Sequence, residues 1–138
     1  MKFTSGLRPY ASKRLEEIET ADILAGIPCY NNQGTIEQVI QMVTHGLDRH
    51  YRNLRSVIMI ADGCSTDDTR EVAKKFEIKP WQEKIVSIYR GPAGKGSAFR
   101  SIFEAARRLQ RRRKRLRIFA AVRSHPVHPA PLADSSRP

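Results

Sequence analysis

The stretch Ile60-Ala61-Asp62-Gly63-Cys64-Ser65-Thr66-Asp67-Asp68-Thr69 takes the chain from an apolar run, through polar residues, into the start of a helix. Closer to the N-terminus, Ile27-Pro28-Cys29-Tyr30-Asn31-Asn32 makes the same transition. In an open α/β sheet, the polar residues that follow the strands line the crevice in which a ligand binds. The two stretches therefore predict an α/β protein whose functional site lies at the strand ends.

Apolar runs of strand length predict three buried parallel strands, over residues 22–27, 55–61 and 84–89. Proline cannot donate a ladder hydrogen bond, so Pro28 is expected to end the first strand. A fourth strand is a further possibility at 116–122, which is apolar although arginines flank it.

Three amphipathic helices are predicted after these strands, and a short charged helix is predicted over 12–19. The first of the three opens with a capping box of Thr35 and Gln38, and Ser65 or Thr66 is expected to cap the second. The third is expected over 97–109. The side chains that the second and third helices are expected to bury are Val72, Ala73, Phe76, Phe99, Ile102, Phe103 and Ala106. The order β-α-β-α-β-α requires right-handed crossovers and predicts a Rossmann-like parallel sheet.

Length and composition exclude several classes of protein. The 138 residues are enough for one domain, and a hydrophobic content of 40% provides a core for part of that length. No apolar segment has the length of a membrane span or the character of a signal peptide, which predicts a cytoplasmic protein. Two cysteines are too few for a disulfide framework or a four-ligand zinc site, so Cys29 and Cys64 are expected to be reduced.

Positive charge is concentrated near the C-terminus. The formal net charge is +11, and residues 1–106 carry 15 Lys and Arg against 13 Asp and Glu, whereas 107–138 carry 10 against 1. This change predicts three regions: an N-terminal extension (1–21), a folded half domain (22–109) and a basic, proline-rich tail (110–138).

Three interpretations of the tail compete. From Arg107 to Arg117, eight of eleven residues are basic, which suits an electrostatic arm for nucleic acid. A disordered end, or translation of GC-rich DNA in a shifted frame, would have the same composition, and these two are favoured. Phe119 is the only aromatic ring in the tail apart from His125 and His128. The tail therefore has few side chains on which nucleic-acid bases could stack, and nucleic acid is not the expected partner.

Asp62 and Lys95 are the side chains whose positions point to ligand chemistry. Asp62 follows an apolar run, where a partly desolvated carboxylate needs a donor. A nucleobase imide N–H, a ribose hydroxyl or the backbone of the following turn would each serve. Lys95 lies in the loop Gly91-Pro92-Ala93-Gly94-Lys95-Gly96 before a helix, which favours an anionic group such as phosphate. The spacing is not that of a Walker A loop, and no G-x-G-x-x-G follows the first strand.

Taken together, Ile-Pro-Cys-Tyr-Asn-Asn, Ala-Asp-Gly-Cys-Ser-Thr-Asp-Asp-Thr and Gly-Lys-Gly-Ser-Ala resemble the motifs of family-2 glycosyltransferases. The resemblance covers residues 20–109 and is strongest to enzymes with small acceptors, such as glucosyl- and mannosyl-glycerate synthases. It implies the half of an A-type glycosyltransferase fold that binds a nucleotide-diphosphate sugar. The implied contacts are Pro28, Tyr30 and Asn32 along the nucleotide, Asp62 at the base, and Lys95 and Gly96 at the base, ribose or diphosphate.

The sequence departs from the family pattern at three places. Gly63 stands where many relatives have a second Asp, and Cys64 stands where they have Gly. Relatives also hold Mg²⁺ or Mn²⁺ with an Asp-x-Asp after the next strand, whereas residues 110–123 contain no Asp or Glu. The resemblance therefore implies a divalent metal for the intact enzyme, with a site that is absent here.

The expected function of intact relatives is sugar transfer from a nucleotide-diphosphate donor to the hydroxyl of a small-molecule or glycan acceptor. This chain is expected to be truncated or frame-shifted, to bind the nucleotide weakly and to lack turnover. Three other classes stay open: a nucleic-acid-binding module that uses the arginine cluster, a nucleotidyltransferase of related fold, and a partner subunit that is completed by another chain. A nucleotidyltransferase would use a glycine-rich loop after the first strand, which residues 28–34 lack.

Overall fold

The computed structural model of the protein describes residues 9–88, 92–112 and 116–120. Helices and strands follow one another in the order α1 (Pro9–Glu17), β1 (Ile23–Cys29), α2 (Ile36–His50), β2 (Ser56–Asp62), α3 (Thr69–Lys75), β3 (Glu83–Ile88), α4 (Lys95–Arg112) and β4 (Arg117–Ala120). Tyr89, the expected last residue of the third strand, and Gly91, the expected first residue of the glycine-rich loop, lie outside the described residues.

The strands of the described residues form one parallel sheet in the order β3-β2-β1-β4. α2 connects β1 to β2, α3 connects β2 to β3, and α4 returns the chain to the free side of β1. The predicted α/β class and Rossmann-like parallel sheet are therefore confirmed. The fourth strand, which the sequence left open, is present and pairs with β1 from Ile23↔Arg117 to Gly26↔Ala120.

Pro28 does not end β1, contrary to the prediction, and the strand continues to Cys29. Residues of a parallel strand direct their backbone groups alternately to the two neighbouring strands. The carbonyl of Cys29 accepts from Gly63 N–H on the β2 side, whereas that of Asp22 accepts from Arg117 N–H on the β4 side. Pro28 therefore faces the β4 side, where the described pairing has already ended at Gly26, and its missing N–H costs no ladder bond to any residue that the structure describes.

Apolar side chains cover both faces of the sheet, as a parallel sheet requires. α1 and α4 pack on one face, in a cluster that includes Leu15, Met59 and Ile102. α2 and α3 pack on the other, with Ile40 and Ala73 among the buried residues. α1 lies within the expected N-terminal extension, yet its apolar residues belong to the core of the domain.

α4 is longer than predicted and presents a different face to the sheet. It buries Ile102 and Ala106 as expected, and Phe99 is half-buried. Phe103 is 58% exposed, so its predicted burial is wrong. Its ring stacks instead on Phe99, one helical turn earlier, with the centroids 6.4 Å apart.

The region boundary predicted after 109 falls inside α4, because that helix ends only at Arg112. β4 then adds a strand to the sheet, so residues 110–112 and 116–120 are part of the fold. The remaining residues of the predicted tail, 113–115 and 121–138, lie outside the described residues. The prediction that they are disordered or frame-shifted stays a prediction. No helix in the described part of the chain has the length and apolarity to cross a membrane.

Candidate ligand-binding site

The first three strands end at the same edge of the sheet. The last residue of β1, Cys29, pairs with Asp62 at the end of β2, and Asp62 pairs with Ile88 at the end of β3. The loops expected to bind the ligand therefore start from adjacent points. This arrangement follows from the parallel order, because all carboxyl ends of parallel strands lie on one side.

Hydrogen bonds join the loop after β1 to the loop after β2. The backbone N–H of Asn31 donates to Ser65 Oγ, and the N–H of Thr66 donates to Asn31 Oδ1, both at 2.8 Å. One residue further on, the N–H of Asn32 donates to Thr69 Oγ1, also at 2.8 Å. The two loops therefore form one cross-linked unit.

Asp62 is fully buried, with 0% of its surface exposed. Its Oδ2 accepts from the N–H of Ser65 at 2.8 Å, and its Oδ1 accepts from the Ser65 hydroxyl at 2.5 Å. The thiol of Cys29 donates to Oδ1 at 3.7 Å, and Nε of Arg70 lies 3.6 Å from Oδ2. The structure thus gives this carboxylate partners within the protein, where the resemblance implied a nucleotide base.

The predicted caps of α2 and α3 do not form. Thr35 precedes α2 without a side-chain cap bond, so the capping box with Gln38 is absent. α3 begins after Asp68 rather than after Ser65 or Thr66. The reason is tertiary: the Ser65 hydroxyl is used between Asp62 and Asn31, two groups that helix-capping rules do not consider.

The N-terminus of α4 lies against the end of β2. The N–H of Gly94 donates to the carbonyl of Gly63 at 2.9 Å. A Cβ on Gly63 would overlap the carbonyl oxygen of Gly94 and lie 2.7 Å from its carbonyl carbon. Gly63 therefore permits a close approach of two backbones, which brings the start of α4 to the same edge as Asp62.

Lys95 and Gly96 are the first two residues of α4, so the structure brings their backbone next to the loops after β1 and β2. Gly96 is exposed, whereas the side chain of Lys95 lies outside the described part of the chain. The first turn of α4 contains no acidic residue. A helix N-terminus of this kind favours an anion, because its N–H groups are unpaired and its dipole end is positive.

The three residues expected along the nucleotide differ in accessibility. Pro28 is buried within β1, whereas Tyr30 and Asn32 are half-buried beyond its end. The Asn32 side chain folds back, since its Oδ1 accepts from the N–H of Tyr30 at 2.8 Å. Tyr30 and Asn32 thus lie at the candidate crevice, whereas Pro28 lies within the strand that leads to it.

Two residues other than glycine at this edge have positive φ: Asn31 with 51° and Cys64 with 71°. Asparagine tolerates this left-handed region, whereas other residues with a Cβ adopt it at a cost in free energy. Cys64 thus adopts a left-handed backbone conformation that glycine would adopt without this cost. Asn31 and Ser65 were not among the predicted site residues, although both stand inside the quoted motifs, because their importance depends on contacts between loops.

Asp67 also belongs to the cross-linked unit. Partial burial acts to raise the pKa of its carboxyl, but hydrogen bonds from the Thr69 hydroxyl, Thr69 N–H and Gln33 N–H outweigh it, so the pKa lies below its usual value of 3.8. Asp67 thus has a structural role, which it fills through Thr69 and Gln33.

The described residues do not fit a divalent metal. They contain no group of three or more His, Cys, Asp or Glu side chains placed to hold an ion. Asp62 already accepts from Ser65 and Cys29, and residues 110–123, where the family pattern led us to look for the metal ligands, provide no carboxylate. Magnesium and manganese need such oxygen ligands, so this part of the chain does not form the metal site that the resemblance implies for intact relatives.

The arginines of the basic cluster whose side chains the structure describes on α4 differ in how far they are buried. Arg108 is half-buried and donates to Glu104 Oε2 at 2.8 Å and to Ser12 Oγ at 2.9 Å. Arg107 and Arg111 are exposed on α4. At least one arginine of the cluster thus has a structural partner, and nucleic-acid binding stays the alternative that the sequence did not favour.

The parallel sheet, its helical crossovers and the loops at its carboxyl edge define a Rossmann-like α/β protein, consistent with part of an A-type glycosyltransferase fold. The family model Glycosyl transferase family 2 matches residues 25–108, more than half of the chain. The chain belongs to glycosyl transferase family 2.

No curated protein and no solved structure matches the chain. The closer resemblance to glucosyl- and mannosyl-glycerate synthases therefore stays a prediction.

Proposed function

We propose that this protein binds the nucleoside diphosphate part of a nucleotide sugar at the carboxyl edge of β1, β2 and β3, as the donor-binding part of a glycosyltransferase. The single observation that carries the proposal is the hydrogen bond from Gly94 to Gly63. It joins the N-terminus of α4, which suits a diphosphate, to the loops that suit a base and ribose. Family membership supplies the class of donor.

The diphosphate would bind at Lys95 and Gly96, and the nucleoside would lie along Tyr30 and Asn32, with Pro28 holding the strand end in place. We propose that the acceptor is a hydroxyl compound, with a small molecule such as glycerate favoured over a glycan. Because the described residues lack a carboxylate set for a metal, we propose weak binding and no turnover by this chain alone. We also propose that it acts in the cytoplasm.

Titration calorimetry with UDP, GDP and ADP tests the binding proposal. We expect dissociation constants near the millimolar range for at least one of them, and competition by inorganic pyrophosphate. Lys95→Met should weaken binding about tenfold, which corresponds to about 1.4 kcal/mol. Lys79→Met is the matched control, because it removes the same charge from the connection before β3, at the opposite edge of the sheet.

No heat with any of the three nucleotides would overturn the proposed function. Equal losses in Lys95→Met and Lys79→Met would place the anion elsewhere. Incubation with UDP- and GDP-sugars and glycerate, with and without Mn²⁺, tests turnover. Metal-dependent transfer would contradict the proposed lack of activity while leaving the binding site supported.

A further inference from the structure

We propose that Asp62 is a positioning residue, which orders the loop after β2 from inside the protein, and that the nucleotide base is recognised by other groups. The inference rests on the proposed function, because it assigns the role of one residue within that site. It reverses the role that the family resemblance implied for Asp62.

Asp62 is fully buried, and both of its oxygens are hydrogen-bonded within the protein. A carboxylate with no exposed surface is stable only when donors satisfy both oxygens. Ser65 provides two donors, one to each oxygen of Asp62, and the Cys29 thiol and Arg70 lie at the remaining sides. A base N–H could reach Asp62 only by displacing one of these groups and exposing the end of the core.

Ser65 connects Asp62 to the loop after β1. Ser65 Oγ donates to Asp62 and also accepts the N–H of Asn31, whose own Oδ1 accepts from Thr66. The carboxylate therefore fixes Ser65, and Ser65 fixes Asn31 and the loop after β1. A change at Asp62 is transmitted to both loops without any contact between Asp62 and a ligand.

Two residues close to this network, Asn31 and Cys64, have a left-handed backbone conformation. Asn31 and Cys64, the two non-glycine residues with positive φ among the described residues, lie on this hydrogen-bonded path or next to it. Such conformations persist where surrounding contacts determine them, and they are frequent at ligand sites. The network anchored on Asp62 supplies those contacts. Thr66 is exposed at this edge, and Tyr30 and Cys64 are half-buried, so these residues are better placed to meet a base.

The experiment compares Asp62→Asn with wild type in two measurements. The first is affinity for UDP, which has a base, and for inorganic pyrophosphate, which has none. A positioning role predicts similar losses for both ligands, about fivefold to tenfold. A base contact predicts a loss for UDP and an unchanged affinity for pyrophosphate, and this result would overturn the inference.

The second measurement is amide hydrogen exchange of the ligand-free protein. A positioning role predicts at least tenfold faster exchange at Ser65, Thr66 and Asn31 in Asp62→Asn, whereas a base contact predicts unchanged exchange. Ser65→Ala keeps the carboxylate and removes only the hydroxyl, so it should accelerate exchange at Asn31. It replaces Asp62→Asn in this measurement if that variant does not fold. If wild type binds neither UDP nor pyrophosphate, the proposed function fails, whereas the exchange rates still decide the role of Asp62.

Discussion

At the scale of single residues, each of positions 62–65 has its own structural requirement. Asp62 needs donors because it is buried, and Ser65 provides them. Gly63 leaves room for the backbone of Gly94, and Cys64 turns the chain with a φ of 71°. Each of these side chains therefore has a role that depends on its size or its hydrogen-bonding groups.

We expect Gly63→Ala to destabilise the protein by about 2–3 kcal/mol, because the new methyl group overlaps backbone atoms that cannot rotate away. Gly46→Ala is the matched control: nothing lies within 4 Å of a Cβ at this position in α2, so it should stabilise by about 0.5–1 kcal/mol. Urea denaturation measures both. Equal effects of the two substitutions would mean that Gly63 and Gly94 are not in contact.

Cys64→Gly should be neutral or stabilise the protein by up to about 1 kcal/mol. Glycine removes the cost of positive φ, and its greater freedom in the unfolded chain offsets part of that gain. Cys64→Ala separates the effect of the thiol, and Cys64→Val should destabilise because a β-branched side chain is least tolerated at positive φ. Thermal unfolding of the three variants checks this order, and a variant with valine as stable as that with glycine would contradict it.

At the scale of elements, the loops that lead into α2 and α3 are hydrogen-bonded to each other. The N–H of Asp68 donates to Gln33 Oε1 at 3.0 Å, and the N–H of Gln33 donates to Asp67 Oδ2 at 3.3 Å. The N–H of Thr69 donates to Asp67 Oδ1 at 3.0 Å. The first two bonds join the loops just before the helices begin, and only the third satisfies an N–H of a helix, that of the first residue of α3.

The lowered pKa of Asp67 gives this junction a pH dependence. The carboxyl binds a proton less readily in the folded than in the unfolded state, so its contribution to stability is present above about pH 4 and is lost as pH falls below that value. Asp67→Asn should therefore be less stable than wild type at pH 6, and the difference should shrink towards pH 3. Urea titrations across this range test it, and a difference that grows on acidification would contradict the assignment.

At the scale of the whole molecule, α4 links the site to the core. Its first residues lie at the carboxyl edge of the sheet, and its middle packs on β1, where a Cβ on Gly26 would lie 2.6 Å from Cγ2 of Ile102. The orientation of α4 is thus set by close packing on the sheet at one point and by the contact between Gly94 and Gly63 at the other.

Ile102 and Phe103 test this orientation because they are neighbours with opposite environments, 1% and 58% exposed. Ile102→Ala should destabilise by about 2–5 kcal/mol, since it leaves a cavity. Phe103→Ala should cost less than about 1 kcal/mol, because only its stacking on Phe99 is lost. Denaturation midpoints of the two variants check this, and a larger loss for Phe103→Ala would show that α4 is rotated.

The sequence by itself determined the alternation of strands and helices, the parallel class and the polar loops at the strand ends, where the candidate site lies. These properties depend on local periodicity, on the polarity of strand ends and on the handedness of crossovers, all of which can be judged from neighbouring residues. The tertiary structure alone decided that Pro28 stays in its strand, that Phe103 faces outward, and that Ser65 connects Asp62 to Asn31 in the loop after β1. Those outcomes depend on residues that are distant in sequence and meet only when the sheet forms, so no local pattern encodes them.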